Sequence, residues 1–205
     1  MHHLLSILVI SAANNLDNVG VRIAYSIRGI KITNRINLWI SVITFVITFF
    51  AALSGTWISG ILNKEVASVV AMLILVAIGS WMIVQPYVNR VRKLTTDSDL
   101  ESEAGGLDVL LNPEKADRDH SKNIEFREAT LLGIALSLNN VGGGVSAGMM
   151  GLNKFWVGFL SAALSYMALW GGNYIADFCV RWNLTNKATI AAGVALIAIG
   201  IEQVL

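Results

Sequence analysis

Leu16-Asp17-Asn18-Val19-Gly20 and Leu138-Asn139-Asn140-Val141-Gly142 align without a gap, and their reading decides the fold. The correspondence continues outward from both. Nine residues beyond each closing glycine stands another, Gly29 and Gly151, and Val76-Ala77-Ile78-Gly79 is matched by Ile197-Ala198-Ile199-Gly200. The chain reads as two copies of one unit, each opening on a polar motif and closing on an apolar one.

Composition sets the solvent for that unit. Of 205 residues, 55% are hydrophobic and only 14% charged, against about a quarter charged in a soluble domain. A water-exposed globule and global disorder are both excluded. The net charge of +1 gives no basic footprint for nucleic acid, and the single cysteine, Cys179, cannot form an internal disulfide. Crossing a hydrocarbon core takes roughly 20 mainly apolar residues in a helix. Six segments qualify: Leu4–Ile27, Leu38–Leu62, Val66–Val88, Ala129–Leu152, Phe155–Phe178 and Ala188–Leu205. The predicted fold class is an all-α polytopic membrane protein with six transmembrane helices. Residues 1–88 form one three-helix repeat and residues 128–205 the other, joined by a loop over 89–127. An odd number of spans per repeat inverts one half relative to the other, as in many secondary transporters. Leu4–Ala13 has the length of a secretory signal core. However, Met1-His2-His3 carries no Lys or Arg and apolar sequence resumes at Val19, so this run is read as the start of a span.

Charge gives the orientation. Arg28, Lys31, Arg35, Arg90, Arg92, Lys93, Lys115, Arg118, Lys122, Arg127, Arg181 and Lys187 fall on one face, and only Lys64 and Lys154 on the other. The expected topology is multi-pass in the plasma membrane, with both termini outside and the long loop cytoplasmic. Of the 29 Lys, Arg, Asp and Glu residues, 17 lie between Asn89 and Glu128, so the spans are poorer still in charge.

Against that background the polar residues within spans stand out. Asn14, Asp17 and Asn18 share one helical face at i, i+3 and i+4, and Ser137, Asn139 and Asn140 cluster in the fourth span. An ionised carboxylate near the bilayer centre costs several kcal/mol unless paired, protonated or facing a cavity. Carboxylate, carboxamide and hydroxyl oxygens suit a hard cation such as Mn²⁺, Mg²⁺ or Ca²⁺. The competing reading is interhelical hydrogen bonding, worth ~0.6–2 kcal/mol each. Arg22 lies about 10 Å past the middle of the first span by helical rise and is expected to snorkel toward the cytoplasmic surface. Gly20, Gly142, Gly144 and Gly148 are expected to let helices approach closely. The run Gly142-Gly143-Gly144 also predicts a break in the fourth helix that frees carbonyls for a cation.

Within the long loop, residues 117–128 fit a twelve-residue calcium loop. Asp117, Asp119 and Ser121 stand at positions 1, 3 and 5, Asn123 offers its carbonyl at 7, Glu125 stands at 9 and Glu128 at 12. Lys122 departs from that pattern where glycine makes the turn. The alternative for the same segment is a capped entry into the fourth helix.

Four stretches carry a family resemblance: Asn15-Leu16-Asp17-Asn18-Val19-Gly20, Ile27-Arg28-Gly29-Ile30-Lys31-Ile32, Asn112-Pro113-Glu114-Lys115-Ala116-Asp117-Arg118-Asp119-His120-Ser121, and Leu132-Gly133 through Asn140-Val141-Gly142. In combination they resemble the YtaF subgroup of the MntP-type manganese efflux family, often labelled sporulation membrane proteins, over essentially the whole chain. The resemblance implies six helices in two repeats and export of Mn²⁺ or a related divalent cation, with no enzymatic activity. It carries the family's first acidic position onto Asp17 and its second, usually Asp, onto Asn139; Arg22 stands where related sequences favour a small residue. No nucleotide-binding motif is visible, so coupling to inward H⁺ is the expected drive. The implied substrate is the divalent cation, with no tightly bound cofactor beyond Ca²⁺ in the loop, and the partners are the lipid bilayer and a second copy in a homodimer. Export of a small organic solute such as an amino acid, and a non-transporting scaffold or sensor working through the loop, are the competing functions.

Overall fold

In the computed structural model the described residues are 2–95, 116–117, 121–182 and 184–202. They form seven helices: α1 His2–Asn14, α2 Leu16–Arg28, α3 Asn34–Ile61, α4 Lys64–Thr95, α5 Phe126–Met149, α6 Lys154–Trp182 and α7 Leu184–Glu202. Three stretches are long and apolar enough to cross a membrane by length and composition: Leu4–Ser26, Asn34–Ile61 and Glu65–Val84. Thr189–Glu202 is a shorter apolar helix. The 24 residues of α5 and 29 of α6 have the length for the same thickness, at about 36 and 44 Å by helical rise.

The surface is reversed relative to a water-soluble protein. Ile61 is 87% exposed and Trp57 72%, with Phe50, Trp81, Met167 and Trp170 also open, while Asn18, Thr44, Thr48, Ser137, Asn140, Ser161 and Ser165 have no exposure at all. Apolar groups outside and polar groups inside match a hydrocarbon solvent, which demands that polar groups find partners within the bundle.

The break expected at the three glycines of α5 is absent; α5 runs through them unbroken. The break is at Asn15 instead, which separates α1 from α2 with φ −112° and ψ 8°. The Asn15 N–H donates to Ala12 O at 3.2 Å, and its Nδ2 donates to Ser11 O at 2.8 Å. Its carboxamide thereby satisfies a carbonyl that the interrupted helix leaves behind. The glycines of α5 serve packing. A Cβ at Gly144 would meet Ala51 and the Thr48 carbonyl, one at Gly148 would strike the Ala52 carbonyl, and one at Gly142 would press on Ile78. Gly55 of α3 lies equally close to the Val145 carbonyl. Helices α3 and α5 therefore touch backbone to backbone, a close approach that compensates glycine's weak helix propensity. Gly20 is partly buried in α2.

Helix α3 also packs along α6, and α4 along α7, with α1 and α2 resting on α6 and α7. Gly79 of α4 faces the Gly193 carbonyl, and Gly200 of α7 faces the Met72 carbonyl at the other end of the same contact. The ends of α2 and α5 are alike. Gly29 (φ 73°) donates to Ser26 O and Ile30 to Tyr25 O; Gly151 (φ 70°) donates to Gly148 O and Leu152 to Ala147 O. Both are six-to-one caps closed by a glycine in the left-handed region.

Candidate functional site

The polar residues of the first and fourth spans come together, and two helices that the sequence reading left apolar join them. Asn18 Nδ2 donates to Asn15 Oδ1 at 3.0 Å and to Ser165 Oγ of α6 at 2.9 Å. The Thr44 hydroxyl of α3 reaches Ser165 Oγ at 3.5 Å, and Ser137 Oγ of α5 reaches Thr44 Oγ1 at 3.1 Å. Ser137 also lies 2.6 Å from the Gly133 carbonyl and Thr44 3.1 Å from that of Ile40. A continuous belt of side-chain contacts thus crosses the bundle from α2 through α6 and α3 to α5. Its junction is the Thr44–Ser165 pair, both residues fully buried.

Beside the belt lies a second group of buried polar side-chain atoms with no hydrogen-bond partner among the described residues. They are Ser11 Oγ, both carboxamide atoms of Asn14, Thr48 Oγ1, both carboxamide atoms of Asn140, and Ser161 Oγ. All five residues are at most 3% exposed. The Asn14 carboxamide lies over Gly143, where a Cβ would collide with it. That glycine gives the carboxamide its room on the α5 face that also carries Asn140, three residues earlier.

Asp17 lies in α2 and Asn139 in α5 by their backbones, and both side chains are outside the described set. Among the described residues no three His, Cys, Asp or Glu side chains gather into a metal-binding group. Asn37 of α3 donates from Nδ2 to Tyr166 O at 3.0 Å, which further ties α3 to α6.

Arg22 does not snorkel to the surface. It is 4% exposed, and its Nη1 donates to Ile30 O at 3.4 Å, bracing the turn after α2 from inside. The reason is local. Ile30 is itself buried with Tyr25, Ile124 and Ala129 in an apolar cluster that covers that end of the bundle.

The loop segment enters α5 as a capped helix start. Glu125 and Glu128 form a reciprocal cap, with Glu125 N–H donating to Glu128 Oε2 at 3.1 Å. Asp117 is buried and accepts the Lys122 N–H on Oδ2 at 3.1 Å. Lys122 adopts φ 61°, the left-handed turn that glycine would supply in a calcium loop. Ser121 and Asn123 bond each other at 2.9 and 3.2 Å and are exposed, while Asp119 lies outside the described residues. The segment is fastened to the turn after α2: Lys31 N–H donates to Lys122 O at 2.8 Å and Ile124 N–H to Lys31 O at 3.2 Å, a parallel bridge.

Thr44, Thr48, Ser161 and Ser165 carried no signal in the sequence because each is an isolated hydroxyl within an apolar stretch of α3 or α6. Only the pairing of those helices shows that Thr44, Thr48, Ser161 and Ser165 turn inward.

A family profile described as "Putative manganese efflux pump" matches residues 107–204. Over 205 aligned residues the chain is 29% identical to "Probable sporulation protein YtaF" of Bacillus subtilis (strain 168), covering 97% of this chain and 98% of that protein. No solved structure matches the chain.

Proposed function

We propose that this chain is a YtaF-like member of the family described as putative manganese efflux pumps, and that it exports Mn²⁺ or a closely related divalent cation by proton-coupled alternating access. The observation that carries the reading is the polar belt from Asn15 and Asn18 through Ser165 and Thr44 to Ser137, at the centre of a helix bundle with an apolar exterior. Buried hydroxyls and carboxamides on four facing helices offer hard oxygen donors, next to the backbone positions of Asp17 and Asn139.

The architecture we propose is six spans in two inverted repeats, with α1 and α2 together forming the first. Supporting it are the like caps at Gly29 and Gly151, and the paired contacts of Gly79 with Gly193 and Gly200 with Met72. With both termini outside, the Lys31–Asn123 bridge lies at the cytoplasmic end. Alternating access then rocks the halves about the belt, whose bonds link α2 to α6 and α3 to α5 across the repeats.

Driving a divalent ion outward against about 100 mV costs roughly 4.6 kcal/mol from the field alone, at about 2.3 per charge. Proton entry supplies that drive. Asp17 binds the cation when ionised and releases it when protonated, with Asn18, Ser137 and Asn139 as oxygen donors beside it and Asn14 and Asn140 further along the same pathway. The Bacillus relative's name points to sporulation as a setting for this export. Expression in cells lacking their own Mn²⁺ exporter should restore growth in excess Mn²⁺ and leave amino-acid toxicity unchanged; the reverse pattern would reassign the substrate to an organic solute.

A further inference from the structure

The five unpartnered side chains beside the belt are not scattered. On each helix they stand one turn from a belt residue, and always toward the end of the bundle opposite the Lys31–Asn123 bridge. On α3, Thr48 follows Thr44 by four residues; on α5, Asn140 follows Ser137 by three; on α6, which runs the other way, Ser161 precedes Ser165 by four. On α1, Ser11 and Asn14 precede Asn15 and Asn18 by four. Spacings of three and four keep the same helical face, and one turn is about 5 Å. All five are buried and lie on the same side of the belt, with Asn14 placed across the break at Asn15 by its contact over Gly143 of α5.

Such a layer is costly as plain architecture. A buried hydroxyl or carboxamide without a partner loses its hydration and regains nothing, and membrane helices normally satisfy Ser and Thr on their own backbone, as Ser41 does on Asn37 O and Thr44 on Ile40 O. Thr48 and Ser161 make neither kind of bond. Three buried hydroxyls and two buried carboxamides on four helices supply neutral, hard oxygen donors. Such a set suits a divalent cation that keeps part of its water shell, and neutral donors hold it loosely enough to let it go.

We infer that Ser11, Asn14, Thr48, Asn140 and Ser161 form a second, neutral cation station one turn beyond the belt, which receives the ion after it leaves the Asp17 level. The inference rests on the transport reading above and adds Ser11, Thr48 and Ser161 to the path.

The test uses the full chain purified in detergent and in proteoliposomes, with Mn²⁺ alone as probe and the variants Thr48→Val, Ser161→Ala and their double. Removing unpartnered hydroxyls should leave the metal-free Tm unchanged or raise it. The double variant should lose at least half of the Tm rise that millimolar Mn²⁺ gives the wild type, and should slow Mn²⁺ uptake at least tenfold. A fall in metal-free Tm makes these hydroxyls structural and overturns the station. So does a wild-type Mn²⁺ shift and uptake in the double variant, with the transport reading left standing. An equal Tm rise from K⁺ at matched ionic strength overturns the divalent assignment. A wild type with neither Mn²⁺ uptake nor Tm shift overturns both readings.

Discussion

Asn18 Nδ2 donates to Ser165 Oγ at 2.9 Å, joining the polar motif of the first span to a hydroxyl near the middle of α6. That bond lies on a side-chain path that runs from α2 to α5 through α6 and α3. Ser165→Ala should therefore cost about 0.5–1.5 kcal/mol of fold stability and slow transport. Reversible unfolding in mixed micelles measures the first and vesicle uptake the second. Stability and uptake equal to wild type would remove the belt from the account.

The backbone contact of α3 with α5 makes a steric prediction. Gly148→Val places branched carbon against the Ala52 carbonyl and should destabilise by about 1–3 kcal/mol through overpacking. Gly60→Ala meets nothing within 4 Å and should gain several tenths of a kcal/mol, since alanine is the better helix former by roughly 1 kcal/mol. The pair of measurements separates packing from propensity.

Positive φ predicts opposite signs at different positions. Gly29→Ala and Gly151→Ala, at φ 73° and 70° in open space, should each cost about 1–2 kcal/mol and by similar amounts. Lys122→Gly relieves the same strain at φ 61° and should stabilise by up to about 1 kcal/mol, less the entropy that glycine adds to the unfolded chain. Thermal melts of the three variants check the set.

These outcomes also mark how far the sequence could be read. The low charge and its concentration between Asn89 and Glu128 identify a membrane chain, and the matched motifs locate the polar centre on α2 and α5. The place of the helix break was not legible. Three glycines look weaker than one asparagine by propensity, yet in hydrocarbon the backbone must stay bonded. Tight contact with α3 holds α5 straight, whereas Asn15 can close its own break by bonding Ser11 O. Arg22 misled for a related reason. Depth suggests an escape to water, but the Ile30 carbonyl is nearer and the Tyr25–Ile124 cluster closes the exit. The hydroxyls of α3 and α6 were invisible because one serine or threonine in an apolar helix looks the same whether it serves its own backbone or a neighbour.

The central claim is that protons drive Mn²⁺ through a path containing Asp17. Everted membrane vesicles with an imposed pH gradient, acidic inside, test it most directly. The account predicts Mn²⁺ uptake that collapses with the gradient and is abolished by Asp17→Asn at equal expression. Uptake by Asp17→Asn at the wild-type rate, or wild-type uptake indifferent to the gradient, would contradict it.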